Sequence, residues 1–228
     1  MTNVLNLAIP FLLAGLGAQI ANTDSSSRNV EAMTREASDL CTGRGEDAPQ
    51  RIGNAICVRG ILTTSTRDRF FALRPKRGDI VVTSGSGGDI AAAMDIGDKI
   101  YRNDILVVVD DLCGSACAYF IALGGKRLSI YKNGLLGFHG GPIPENEIMA
   151  IPNLSNKDRK KIIFDNERFK KFFKRRGLQI RLTNEIPEES KNNGTDWSVN
   201  MWVRWPYEFE KFGFNGLVFC AGKYCQKR

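Results

Sequence analysis

A serine and a histidine carry the chemistry that this sequence suggests. Ser115 follows a continuous apolar run at 105–109 and a short turn of small residues. The helical pattern at 116–123 begins directly after it, so the hydroxyl would lie beside N–H groups that the helix leaves unpaired. His139 is the only histidine of the chain and ends a second apolar run at 135–138. The pair predicts a nucleophile and its general base.

A glycine-rich turn supplies a second element of such a site. Residues 85–88 read Gly-Ser-Gly-Gly and follow the apolar run at 79–84. Glycine lets a backbone N–H approach a developing oxyanion without a Cβ in the way. Gly87 or Gly88 would supply one donor and Ala116 the other. A phosphate-binding loop is disfavoured, because neither the GxGxxG nor the Walker spacing is present.

The alternation of strand and helix patterns predicts the fold class. Apolar runs alternate with helical periodicity, and the clearest helix repeats its apolar residues at i, i+3, i+4 and i+7 over 90–101. The predicted strands are 54–60, 79–84, 105–109, 135–138 and 217–220, and the predicted helices are 64–73, 90–101, 116–123, 155–176 and 206–212. This order indicates an α/β fold with a mainly parallel sheet, whose strand ends form the site.

The charge of the chain is concentrated in one segment. The chain has 228 residues, 43% of them hydrophobic, and a net charge of +7. Residues 157–176 contain ten Lys or Arg and three Asp or Glu, and the difference of +7 equals the net charge of the whole chain. Aromatic residues recur there at helical spacing, which favours a packed helix face. A nucleic-acid partner is therefore not expected.

The N-terminal residues predict export. An apolar stretch at 4–18 is followed by small and then polar residues, as in a secretory signal peptide. We expect residues 1–21 to be a signal peptide or membrane anchor, 22–52 a polar linker with a short helix around 30–40, and 53–228 the folded domain. The predicted location is exported, in the periplasm; the alternative is a membrane anchor formed by residues 4–21, with membrane contact only if that segment is retained.

Six cysteines, an even number, fit an exported chain stabilised by disulfides. Pairing of sequence neighbours would join Cys41 to Cys57, Cys113 to Cys117, and Cys220 to Cys225. Fifteen connectivities are open to six cysteines, and buried free thiols are a further alternative. No CxxC pair occurs, so neither a zinc site nor any other metal site is predicted.

Five segments of the chain, in order, resemble the Clp protease proteolytic subunit and the wider crotonase-like superfamily. Residues 54–60 resemble the family's first strand, and 83–88 resemble its oxyanion loop. The Cys-Gly-Ser-Ala-Cys at 113–117 stands where the family has its nucleophile elbow, and Gly-Phe-His at 137–139 matches the strand with the catalytic histidine. Residues 206–218 resemble the terminal segment. The elbow is similar to that of a branch of exported, Clp-like bacterial proteins with a Cys-x-Ser-Ala-Cys motif.

The resemblance implies a spiral of ββα units and a Ser-His-Asp peptidase without a cofactor. Ser115 would be the nucleophile, His139 the general base, and Gly87, Gly88 and Ala116 the oxyanion region. The family's aspartate aligns near Asn200 or Met201, which are not carboxylates. Asp196 is the nearest acid and is our prediction for the third member, with Asn200 as the alternative. If joined, Cys113 and Cys117 would brace the elbow, a structural role favoured over a redox one.

Three functions remain open at this stage. The first is an exported serine hydrolase acting on peptides or proteins, assembled as a homo-oligomer. The second is a non-catalytic binding or assembly module on the same fold, suggested by the missing third acid and the basic helix. The third, acyl-CoA chemistry of the crotonase type, is disfavoured by export, because coenzyme A is cytosolic.

Overall fold

Apolar runs of the sequence become the strands of one sheet in the computed structural model, which describes residues 28–188 and 201–225. The strands are β1 (Gln50–Ile52), β2 (Ala55–Leu62), β3 (Ile80–Gly88), β4 (Leu106–Gly114), β5 (Arg127–Lys132), β6 (Leu135–Phe138), β7 (Trp202–Arg204) and β8 (Leu217–Gly222). The helices are α1 (28–40), α2 (Thr64–Ala72), α3 (Ile90–Arg102), α4 (Glu145–Ala150), α5 (Asn156–Arg175) and α6 (Arg181–Asn184), with a π-helix at Cys117–Ala122 and a 3₁₀ helix at Pro206–Phe212.

The sheet is mainly parallel, as predicted. Its strand order is β1-β2-β3-β4-β5-β8, and β2 to β8 along this path run parallel. β1 pairs with β2 in the antiparallel sense at one edge. β6 lies parallel to β4 and antiparallel to β7. The fold is therefore mixed α/β.

The central strand β4 is buried on both faces. Val107 and Val109 belong to the hydrophobic cluster under α3, the π-helix and α5, whereas Leu106 and Val108 belong to the cluster under α1. Because successive residues of a strand point to opposite faces, each face needs its own layer of helices. Burial on both faces explains why the sequence at 105–109 is apolar without interruption.

β4 changes its neighbour along its length. Its first part, 106–109, pairs with β5, and its last part, 112–114, pairs with β6. The two partners are joined by a turn that includes Gly134, where a Cβ would lie 2.1 Å from the carbonyl oxygen of Val109. This change of partner places the end of β6 beside the end of β4. Ser115 directly follows β4, and His139 directly follows β6.

Residues 28–52 differ from the linker that their polar composition predicts. α1 packs on the sheet, and Thr34 and Ser38 are fully buried on its inner face. Thr34 Oγ1 donates a hydrogen bond to Ser129 Oγ at 3.0 Å, and Ser38 Oγ donates to Asp110 Oδ2 at 2.7 Å. Because these hydroxyls are satisfied, a helix face that looks polar in the sequence can be buried. The short helix predicted around 30–40 is present as α1, and its inner face belongs to the core rather than to a linker.

No helix in the described part of the chain is long and apolar enough to cross a membrane. The signal peptide or anchor predicted for residues 1–21 lies outside the described residues.

Candidate active site

Ser115 lies on a sharp turn between β4 and the π-helix. Its φ of +51° falls in the left-handed region, which residues with a Cβ seldom adopt. Its N–H donates to the carbonyl oxygen of Gly137 on β6 at 2.9 Å, and its own carbonyl accepts from the N–H of Tyr119 at 2.9 Å. These backbone bonds hold the strained residue from both sides. Non-glycine residues in such conformations cluster at functional sites.

A disulfide encloses this turn. Cys113 and Cys117 are bonded to each other, and both side chains are buried. The other disulfides join Cys41 to Cys57 and Cys220 to Cys225, the pairing of sequence neighbours. No free cysteine is present among the described residues. The three bonds indicate an oxidising, exported environment.

His139 follows β6 and faces Ser115. β4 and β6 pair Gly114 with Gly137, so the residues just beyond this pair are close together. His139 Nε2 lies 2.6 Å from Ser115 Oγ, within hydrogen-bond distance. Although His139 is exposed on one side, its protein environment partly desolvates the ring and lowers the pKa of His139 below its ordinary value. The neutral imidazole, which can accept a proton, is thereby favoured.

The glycine loop approaches the same serine. A Cβ built on Gly87 would lie 2.7 Å from Ser115 Cβ and 2.9 Å from Ala116 N, and Gly87 has a φ of +106°. Only glycine fits here. Gly88 instead lies against β2, since its Cβ would be 2.2 Å from the carbonyl oxygen of Leu62. Of the two predicted glycines, Gly87 is thus the one in contact with the serine turn.

The predicted third member falls outside the described residues, as does the alternative: Asp196 and Asn200 are both in 189–200. Met201 is described, and its Sδ packs against Gly114 and Gly137, where added Cβ atoms would be 2.6 Å and 3.2 Å away. Among the described residues, none hydrogen-bonds to His139 Nδ1.

Tyr119 contacts the backbone of His139, and no motif in the sequence marks it. Its hydroxyl donates to the carbonyl oxygen of Gly140 at 2.8 Å and accepts from the N–H of His139 at 2.8 Å. A tyrosine at helical spacing after Ser115 is ordinarily a core residue, and its partners here are backbone groups. Only the position of Tyr119, four residues after the candidate nucleophile, could have drawn attention to it.

No group of three or more His, Cys, Asp or Glu side chains in the described ranges could hold a metal ion. The contacts around Ser115 are instead those of a hydroxyl, an imidazole and backbone groups. This arrangement can transfer a proton from the Ser115 hydroxyl oxygen to the His139 ring nitrogen, and the loop at Gly87 lies beside the backbone N–H of Ala116.

Comparison with known proteins gives a likeness in structure alone. No family model matches the chain, and no curated protein matches it. A solved structure of a serine-to-alanine mutant of the 1510-N membrane-bound stomatin-specific protease is similar with 19% sequence identity and a TM-score of 0.44, covering 73% of this chain and 77% of that one. That neighbour is a protease. An overlap of this size carries no argument about activity, which rests on the site geometry.

Proposed function

We propose that this chain is an exported serine hydrolase that cleaves peptides, with Ser115 as nucleophile and His139 as general base. The observation that carries the proposal is the 2.6 Å separation of Ser115 Oγ and His139 Nε2 across a turn held in the left-handed conformation. A nucleophile within reach of a base is the arrangement that covalent acyl transfer requires.

The reaction would proceed in two steps. His139 Nε2 accepts the proton of Ser115 Oγ as this oxygen bonds to the carbonyl carbon of the substrate. The N–H groups of Gly87 and Ala116 stabilise the oxyanion, and the imidazolium then donates its proton to the leaving amine. Water, deprotonated by His139, then attacks the acyl carbon, and the imidazolium returns the proton to Ser115 Oγ as the bond between this oxygen and the acyl group breaks. The role of Gly87 is supported by its contact with the serine turn, whereas Gly88 would support the loop against β2.

Several features of this assignment extend the proposal beyond the site. Asp196 would orient the imidazole through Nδ1, with Asn200 as the alternative. The family resemblance supports a Clp-like spiral of ββα units and assembly into a homo-oligomer, and the apolar N-terminal segment supports a periplasmic location. The disulfides support an oxidising location for the mature protein.

Labelling with a fluorophosphonate tests the proposal, because this probe reacts with activated serines. We expect the oxidised, folded protein to be modified at Ser115, identified by mass spectrometry of its peptides. Ser115→Ala should abolish labelling, and His139→Gln should slow it about 10²–10⁴-fold through loss of the base. Ser65→Ala, which changes an exposed serine on α2, is the control and should react as the unaltered chain does. Equal labelling of the His139→Gln variant would contradict the proposal.

A second candidate is a non-catalytic binding or assembly module. It is favoured by the surroundings of His139. Among the described residues no carboxylate contacts His139, and the side chain of Met201 packs beside the site. In that case Ser115→Ala and the unaltered chain would show the same absence of probe labelling and of peptide hydrolysis.

A further inference from the structure

Tyr119 links the two candidate catalytic residues through one side chain and its own backbone. Its N–H donates to the carbonyl oxygen of Ser115 at 2.9 Å, so its helix turn begins at the nucleophile. Its hydroxyl bridges the peptide groups on both sides of His139, accepting from the N–H of His139 and donating to the carbonyl oxygen of Gly140, each at 2.8 Å. The residue thus fixes the serine turn and the histidine backbone relative to each other.

The phenol is itself held in place. Tyr119 is only 4% exposed, and its ring packs against Phe120, Phe138 and Phe169 with centroid separations of 5.9, 5.5 and 5.6 Å. Aromatic contacts of this kind restrict a ring to one orientation. The position of the hydroxyl is therefore determined by the core.

The histidine depends on this support because it has little of its own. His139 is exposed, and among the described residues the only hydrogen-bond partner of its ring is Ser115 Oγ. The chain after it is anchored further on, where Gly141 packs so closely on α6 that a Cβ would lie 2.2 Å from Thr183 Oγ1. Between β6 and that contact, the Tyr119 hydroxyl is the side-chain group that holds the backbone.

We propose that Tyr119 is a positioning residue, whose hydroxyl holds the backbone of His139 so that the imidazole meets Ser115. This inference rests on the proposed hydrolase function. It adds that part of the orientation usually supplied by an acid at Nδ1 comes here from a tyrosine acting on the main chain. Burial also raises the pKa of the Tyr119 phenol well above its ordinary value, so the hydroxyl keeps its proton and donates at any pH at which the site works.

Tyr119→Phe tests the proposal, because it removes the hydroxyl and keeps the ring in its packing. We expect a folded protein whose labelling by the fluorophosphonate is slower by about 10- to 100-fold, since small displacements of a catalytic group have effects of this size. The matched control is Tyr131→Phe, which removes a hydroxyl that accepts from Arg35 on α1. It should leave labelling unchanged.

A second measurement does not depend on catalysis. Because His139 is the only histidine, its ring gives a single set of NMR signals that can be titrated with pH. In Tyr119→Phe we expect the pKa of His139 to rise toward its ordinary value, because a ring released from its place gains contact with water. Tyr131→Phe should titrate as the unaltered chain does.

The two measurements separate the two proposals. If the unaltered chain does not label at Ser115, the hydrolase proposal fails, while the titration still tests whether Tyr119 positions His139. If the unaltered chain labels, and Tyr119→Phe keeps both its labelling rate and its His139 titration, the role of Tyr119 is overturned. A changed rate with an unchanged titration would also overturn it, because the effect would not pass through His139.

Discussion

The two halves of strands β3 and β4 are built on different principles. The first halves, 80–83 and 106–109, pair in one unbroken register, and all their side chains are buried. The second halves contain glycines and one cysteine of a disulfide, and β4 leads directly into Ser115 in the left-handed conformation. The register between the strands shifts after Thr83. The first halves are held by apolar packing, whereas the second halves are shaped by backbone contacts.

This difference explains why the candidate site lies where it does. In the second halves neighbouring segments come so close that a Cβ does not fit. A Cβ built on Gly85 would lie 2.1 Å from the carbonyl oxygen of Gly60, and one built on Gly87 would lie 2.7 Å from Ser115 Cβ. Close approach of the backbone exposes N–H groups to a substrate atom, which branched side chains would prevent. The regular halves supply the rigid base on which this irregular end is held.

Among variants that leave Ser115 and His139 in place, Gly87→Ala should have the largest effect on labelling. The new methyl group would overlap Ser115 Cβ, and a φ of +106° is strained for alanine, so either the loop or the serine turn must move. We expect the rate of fluorophosphonate labelling to fall by about 100-fold or more, since displacements near 1 Å are enough for such losses. Labelling rates at saturating and limiting probe would measure this.

Two variants test whether the effect belongs to the second halves. Gly53→Ala also places alanine at a positive φ, of +60°, but no atom lies within 4 Å of the new Cβ. It should leave labelling unchanged. Leu106→Ala, in the first half of β4, should lower the free energy of unfolding by about 2–5 kcal/mol while the folded fraction labels normally. A strong loss of labelling in folded Leu106→Ala would remove the distinction between the halves.

The disulfide within the second half should have an intermediate effect. Replacing Cys113 and Cys117 by alanine removes a bridge between residues four apart, and the matched control is the Cys220–Cys225 pair, five apart. Loops of similar length give similar stabilisation, about 2 kcal/mol each on chain-entropy grounds. We expect comparable losses in thermal stability, but about tenfold slower labelling only in the Cys113 and Cys117 variant. Equal labelling of both variants would show that the bridge does not support the elbow.

The close approach of Ser115 and His139 could be predicted from the sequence for a physical reason. An apolar strand, a turn of small residues and a helix constrain Ser115 locally, and the chain has a single histidine, so no choice among bases arises. The three disulfides join sequence neighbours, which is the simplest of the fifteen pairings that the sequence leaves open. The turn at Ser115 is encoded within a few residues of the position that it determines.

Features that depend on distant partners could not be predicted in this way. The burial of α1 requires that Thr34 and Ser38 meet Ser129 and Asp110, and the sequence does not mark which hydroxyls will be paired. The hydroxyl of Tyr119 acts on backbone groups, which have no sequence signature at all. The extension of β3 through 85–88 is missed because glycine has low strand propensity, and here it serves close packing.

The smallest expected effect is a shift of the pH profile of labelling to lower pH, which follows from the partial desolvation of His139. Desolvation lowers the pKa of His139, so labelling of Ser115 should rise with pH with a midpoint below about 6.5, the ordinary value for histidine. In the unfolded chain the ring regains its ordinary pKa. The contribution of His139 to stability is therefore present above that ordinary value and is lost as pH falls through the lower, folded-state pKa. Labelling rates between pH 4 and 8, on the order of two units either side of the ordinary pKa, would measure the midpoint.

The same profile tests the third member of the site. A carboxylate beside Nδ1 would stabilise the imidazolium and raise the pKa of His139, whereas an amide would not. If Asp196 occupies that place, Asp196→Asn should move the midpoint of the labelling profile to lower pH, and Asn200→Ala should leave it unchanged. A midpoint unaffected by Asp196→Asn would exclude the aspartate, and the orientation of the imidazole would then depend on Tyr119 and the backbone that it holds.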